Sequence, residues 1–135
     1  MPERLASGVL DTSVVIDLES IDPGRLPIQV AVTSITMAEL AAGPHATDDP
    51  AERARRQERL QRAEATFDPL PFDAAAARAY GRVYAAVLAT GRKARGRRAV
   101  DLLIAATACS LGLPLCTRNP DDFDGLGDLV EIVTV

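Results

Sequence analysis

Carboxylates are the side chains through which this sequence can do chemistry. Asp11, Glu39, Asp101 and the pair Asp121–Asp122 lie in four separate stretches of the chain. Other reactive types are scarce, with one histidine, His45, and two cysteines, Cys109 and Cys116, in 135 residues. That excludes mechanisms needing a His pair as acid and base, zinc sites built from four cysteines or from paired cysteines and histidines, and a disulfide framework. Two carboxylates about 4 Å apart repel by roughly 4 kcal/mol at an effective dielectric of about 20, or about three pK units. Four acids that converge therefore stay ionised only where a cation neutralises them. Oxygen ligands without His or Cys select Mg2+ or Mn2+ over Zn2+. Such an ion polarises a phosphoryl oxygen and brings hydroxide within reach near neutral pH. It also lets an acidic protein hold a phosphodiester.

The charge balance sets limits on partners. Fifteen Lys and Arg against nineteen Asp and Glu give a net charge of −4, which excludes a uniformly basic nucleic-acid-binding surface. One local basic run, Arg92, Lys93, Arg95, Arg97 and Arg98, stands directly before Asp101. It reads either as a solvated turn or as a set of phosphate contacts that position a nucleic acid without reading bases. The arginines from Arg53 to Arg62 are balanced by Glu52, Glu58 and Glu64. The longest apolar run, Leu102 to Cys116, is broken by Ser110, Gly112 and Pro114 and falls short of the roughly 20 residues of a membrane span. Val9–Leu10 runs straight into Asp11, too short for a signal-peptide core. A soluble protein of the reducing cytoplasm is expected, with both cysteines as small buried hydrophobes.

The elements that must position the acids alternate between extended and helical patterns. Gly8–Leu10 reads as a strand, Asp11–Ser13 as a cap, and Val14–Leu18 as a helix. Val30–Val32 is the next strand, followed by a helix at Thr36–Leu40 that Gly43–Pro44 ends. Asp49, Pro50 and Glu52 start a helix running to about Phe67, peripheral because its apolar stripe (Ala54, Leu60, Ala63, Phe67) is thin. Leu70–Phe72 is a candidate edge strand, and Asp73 caps a helix whose apolar face is Ala76, Tyr80, Val83, Tyr84, Val87 and Leu88. Gly91 closes it, Asp101 starts a nearly all-apolar central helix, and Gly112 and Pro114 end that one. Leu115–Thr117 and Val130–Val135 are the last strands. This pattern predicts one α/β domain over residues 1–135, with a mostly parallel sheet of four to five strands between helical layers.

In such a sheet ligands sit beyond the carboxyl ends of the strands, where these acids fall. Each also has a purely structural reading. Asp101 is placed to cap a helix, Glu39 completes a capping box with Thr36, and Asp121 and Asp122 suit a first helical turn. Asp11 is the least explained by capping, because Thr12 and Ser13 are available for it. Asp17, Asp124 and Asp128 are assigned to solvated faces, and Tyr80 and Tyr84 to core or dimer packing.

Four segments resemble the PIN-domain ribonucleases of the VapC toxin type. They are Val9-Leu10-Asp11-Thr12-Ser13, Thr36-Met37-Ala38-Glu39-Leu40, Asp101-Leu102-Leu103-Ile104-Ala105-Ala106-Thr107-Ala108 and Thr117-Arg118-Asn119-Pro120-Asp121-Asp122-Phe123. The resemblance implies a PIN-like three-layer fold and an acidic site of Asp11, Glu39, Asp101 and Asp122. In it, Asp11 and Asp101 are the main Mg2+ ligands (Mn2+ a possible substitute), and Glu39 and Asp122 help orient the attacking water. Asp122 is preferred to Asp121 because it directly precedes Phe123. Thr12, Ser13, Thr117 and Asn119 are implied donors to the carboxylates. The implied activity is metal-assisted endonucleolytic cleavage of RNA by a toxin that pairs with a small antitoxin and forms a homodimer.

Two readings compete with it. A receiver-type phosphoryl-accepting module needs a lysine at a strand end, whereas the only lysine here, Lys93, lies in the basic loop. A catalytically silent PIN-like binding partner has no need of an intact acidic set.

Overall fold

The computed structural model describes residues 4–135. Four parallel strands, β1 (Ser7–Leu10), β2 (Gln29–Val32), β3 (Leu115–Thr117) and β4 (Ile132–Thr134), form one sheet in the order β2-β1-β3-β4. The helices are α1 (Thr12–Ile16), α2 (Ser34–Ala42), α3 (Pro50–Thr66), α4 (Ala74–Ala89) and α5 (Arg97–Leu111). Alternation along the strands divides the core between the two faces of the sheet. Val9 and Leu115 join the cluster formed by Val83 and Val87 of α4, Leu102 and Ile104 of α5, and Phe123. Leu10, Val32 and Cys116, one residue on in register, join Val14, Val15, Leu40 and Ala63 on the opposite side. Strands buried on both faces require the helical layer on each side that the alternating pattern predicted. Among the described residues no helix is long and apolar enough to cross a membrane.

Several local expectations are corrected. Leu70 makes only an isolated bridge with Thr33, so residues 70–72 do not form a strand. In α4 the buried residues are Ala76, Ala79, Val83 and Val87, whereas Tyr84 and Leu88 are 41% and 51% exposed. The stripe is narrower than spacing implied because α4 packs chiefly on one helix, α5, whose small Ala105 and Ala108 allow close approach. Ala54 of α3 is exposed. The largest shift is in α5, which starts at Arg97 rather than Asp101. Gly96, at φ +58°, ψ −133°, holds a backbone conformation that a Cβ would disfavour, and it sets the helix start. Arg97 and Arg98 thus occupy the first helical turn, with Asp101 in the second.

Candidate active site

The acids meet where β1, β2 and β3 end. Asp11 follows β1 and is 4% exposed. It is itself the N-cap of α1, since its Oδ1 accepts from the Val14 amide (3.1 Å) and from Ser13 Oγ (2.6 Å). This corrects the expectation that Thr12 or Ser13 would do the capping. Both are used elsewhere. Ser13 Oγ also accepts from the Arg118 amide at 3.1 Å, which ties the start of α1 to the end of β3. Thr12 Oγ1 donates to Glu39 Oε1 at 2.5 Å and shares a hydrogen bond with Thr36 Oγ1 at 3.0 Å.

Glu39 forms no capping box. The N-cap of α2 is Thr33, whose hydroxyl accepts from the Thr36 amide at 3.1 Å. Glu39 lies in the helix interior, so its carboxylate is free to be held by Thr12. Asp101 is no cap either, since it lies in the second turn of α5. Asp122 sits in the short turn Pro120–Phe123, which the buried Phe123 anchors to the core.

Asp11, Glu39, Asp101 and Asp122 line one cavity of about 440 Å³, together with Thr12, Ser13, Asp17, Arg97, Arg118 and Asn119. Asp121 is exposed and does not line it, and its carbonyl accepts from Arg92. The electrostatics agree with convergence. Burial raises the Asp101 carboxyl from 3.8 to about 7, reinforced by the charges of Asp122, Glu39 and Asp11, with Arg97 opposing. Among the described residues, no three His, Cys, Asp or Glu side chains stand close enough to ligate one ion together. The cavity is an acid-walled bowl rather than a preformed cage. Mg2+ fits that arrangement, because it is usually held by one or two carboxylates and keeps several waters. No His or Cys lines the cavity to favour a softer metal.

The other expected residues divide. Asn119 reaches the cavity, but the Thr117 hydroxyl is spent locally, accepting from the Asn119 amide at 3.0 Å. Of the basic run only Arg97 lines the cavity. Arg92 is turned to the Asp121 carbonyl (2.6 Å) and to Asp124 (3.7 Å), and Lys93 and Arg95 are exposed. Arg98 is half-buried, and its Nε has no hydrogen-bond partner among the described residues. Two cavity residues were missed from sequence. Asp17, assigned to a solvated face, pairs with Arg118 at 3.6 Å beside the acids. The only signal for Arg118 was its position between Thr117 and Asn119. Cys116, buried behind Asp11, is pushed up to about 11 by burial and by the Asp11 and Glu131 charges, and so stays a neutral packing residue.

Comparison with known proteins identifies the family to which this fold belongs. The family model described as PIN domain matches residues 8–129. Ribonuclease VapC5 of Mycobacterium tuberculosis is 41% identical over 96% of both chains. Ribonuclease VapC of Rickettsia bellii is 32% identical, covering 94% of this chain and 95% of its own. Among solved structures, that of the VapBC-5 toxin–antitoxin system from M. tuberculosis matches with a TM-score of 0.83 over 96% of this chain and 99% of the other. The chain therefore belongs to the PIN-domain family and, within it, to the VapC ribonucleases.

Proposed function

We propose that the protein is a divalent-metal-dependent endoribonuclease, the toxin of a toxin–antitoxin pair, and that Asp11, Glu39, Asp101 and Asp122 are its catalytic acids. The observation that carries this reading is the meeting of four carboxylates, from four chain segments, in one cavity without His or Cys. PIN-domain ribonucleases are metal-dependent in general. Here Mg2+, with Mn2+ as a substitute, would be held by Asp11 and Asp101. The bound ion supplies Lewis-acid polarisation of a phosphoryl oxygen and a more acidic water.

The chain's own residues do the rest. Ser13 donates to Asp11 Oδ1, which fixes the orientation of that carboxylate. Thr12 donates to Glu39 and sets the direction of the Glu39 carboxylate, placing it to accept a proton from the attacking water. Asp122 on the opposite turn completes the acidic wall. Arg97, the one member of the basic run at the cavity, contacts substrate phosphate. Lys93, Arg92, Arg95 and Arg98 contribute field rather than contact.

RNA is the substrate and a cognate antitoxin the partner, supported by the ribonuclease names of the similar proteins and by the toxin–antitoxin system of the similar structure. Tyr84 and Leu88, exposed on α4, support self-association as a homodimer. Two unpaired thiols, Cys109 and Cys116, suit a reducing cytoplasm. The receiver-type reading is disfavoured because the only lysine, Lys93, is exposed and absent from the acidic cavity.

The test uses expression of the chain alone with mapping of new RNA 5′ ends, beside Asp11→Asn. Asparagine keeps the cap acceptor of α1, so the variant should stay folded and produce no new ends. New ends in equal number from the variant would refute the assigned site.

A further inference from the structure

The acidic cavity is not isolated. Thr12, Glu39 and Arg97 also line a neighbouring cavity of about 310 Å³, whose far wall is α3 with Glu52, Arg56 and Arg59. Most charges in this second cavity are already engaged. Glu52 pairs with Arg55 (2.6 Å) and Arg56 (3.1 Å), Arg56 also donates to the Gly43 carbonyl, and Glu39 accepts from Thr12. Arg59 and Arg97 remain. Among the described residues neither has a carboxylate within ion-pair distance or a side-chain hydrogen bond, and Arg59 is only partly exposed to solvent.

Arg97 is also placed against the helix dipole, in the first turn of α5, where an anion is favoured and a cation disfavoured. Two guanidinium groups facing one cavity, without partners of their own, make a site for an anion that each meets with paired N–H donors. Because Arg97 and Glu39 line both cavities, that anion lies along a path continuous with the acids. The same RNA strand can therefore reach both.

We propose that Arg59 of α3 and Arg97 of α5 form a seat for a phosphate of the RNA backbone next to the one being cut. This rests on the ribonuclease reading. It assigns RNA contact to α3, a helix in which Arg55, Arg56 and Arg62 pair with its own glutamates or with Glu19.

The test measures binding of a short single-stranded oligoribonucleotide to the full chain carrying Asp101→Asn, over a range of salt concentrations. Adding Arg59→Gln should weaken binding roughly tenfold. It should also reduce the salt slope by about 0.7, the share of one single-strand phosphate contact. Arg59→Lys should restore the slope but not the full affinity, since the charge returns without the fork. Arg62→Gln, an exposed arginine on the same helix whose partners Glu19 and Glu58 lie outside this cavity, should leave the slope in place. Thermal melts of each variant establish that α3 is intact.

An unchanged slope in Arg59→Gln, or an equal change in Arg62→Gln, overturns the seat. Loss of antitoxin binding in Arg59→Gln with RNA binding intact overturns it too, and assigns the arginine to the partner protein. If the parent chain cuts no RNA and its Asp101→Asn form binds none, the ribonuclease reading itself falls. The parent's own cleavage thus separates the two failures.

Discussion

Asp101 shows how the cavity changes a single residue. Its carboxyl lies at about 7 in place of 3.8, chiefly from burial and then from three like charges. A raised folded-state value means the folded protein keeps a proton that the unfolded chain has released. Stability from this group is therefore full below about pH 4, declines as pH rises towards 7, and is flat beyond. Thermal melts of metal-free protein should show Tm falling across that window. Asp101→Asn should remove this component and match or exceed the parent's Tm at neutral pH. Added Mg2+ should shrink the parent's slope by stabilising the carboxylate. Parallel pH profiles for parent and variant would contradict the clustering. The residue types were legible in the sequence, and so was their chemistry. Their local roles were not. Asp11, Thr33 and Gly96 start α1, α2 and α5, where Thr12 or Ser13, Thr36 and Asp101 were equally acceptable to nearest-neighbour rules.

At the scale of elements, strands β1 and β3 and the caps Asp49 and Asp73 were readable, because alternation and capping act over two to four residues, and helix α5 was readable in its body but not in its start. The width of a buried face was not. Tyr84 and Leu88 obey the same spacing as Val83 and Val87, and only the position of α5 decides which of them is covered. The turn carrying Asp122 gives a prediction at this scale. Gly125 follows it at φ +89°, and a Cβ there would fall on the Thr90 side chain at the end of α4. Gly125→Ala combines backbone strain with a clash and should cost roughly 1–3 kcal/mol. It should also lower cleavage by moving Asp122. A chemical-denaturation midpoint equal to the parent's would show that this turn does not depend on glycine.

At the scale of the whole molecule, a chain of net charge −4 must attract RNA through local cations. The structure divides those cations by position. Lys93 and Arg95 are exposed in the loop, so neutralising both should slow association and weaken its salt dependence while leaving dissociation nearly unchanged. Arg97 lines the cavity, so Arg97→Gln should mainly speed dissociation. Stopped-flow binding to the Asp101→Asn chain distinguishes the two. If the loop pair and Arg97 act alike on both rates, the division by position is wrong.

Taken alone, the amino-acid order determined which atoms were available: hard oxygen donors, almost no imidazole or thiolate, and strands whose two faces were both apolar. Those are properties of side-chain chemistry and short-range periodicity, and no packing can alter them. Asp122 was already preferred to Asp121 from its place before Phe123, whereas only the tertiary structure decided that Arg118 pairs with Asp17 in the acidic cavity. It alone placed Arg59 of α3 and Arg97 of α5 in the walls of one cavity. Such pairings join segments up to about a hundred residues apart, and local energies differ too little among the alternatives to choose one. Burial of the shared core makes that choice, because it fixes every strand end and helix at once.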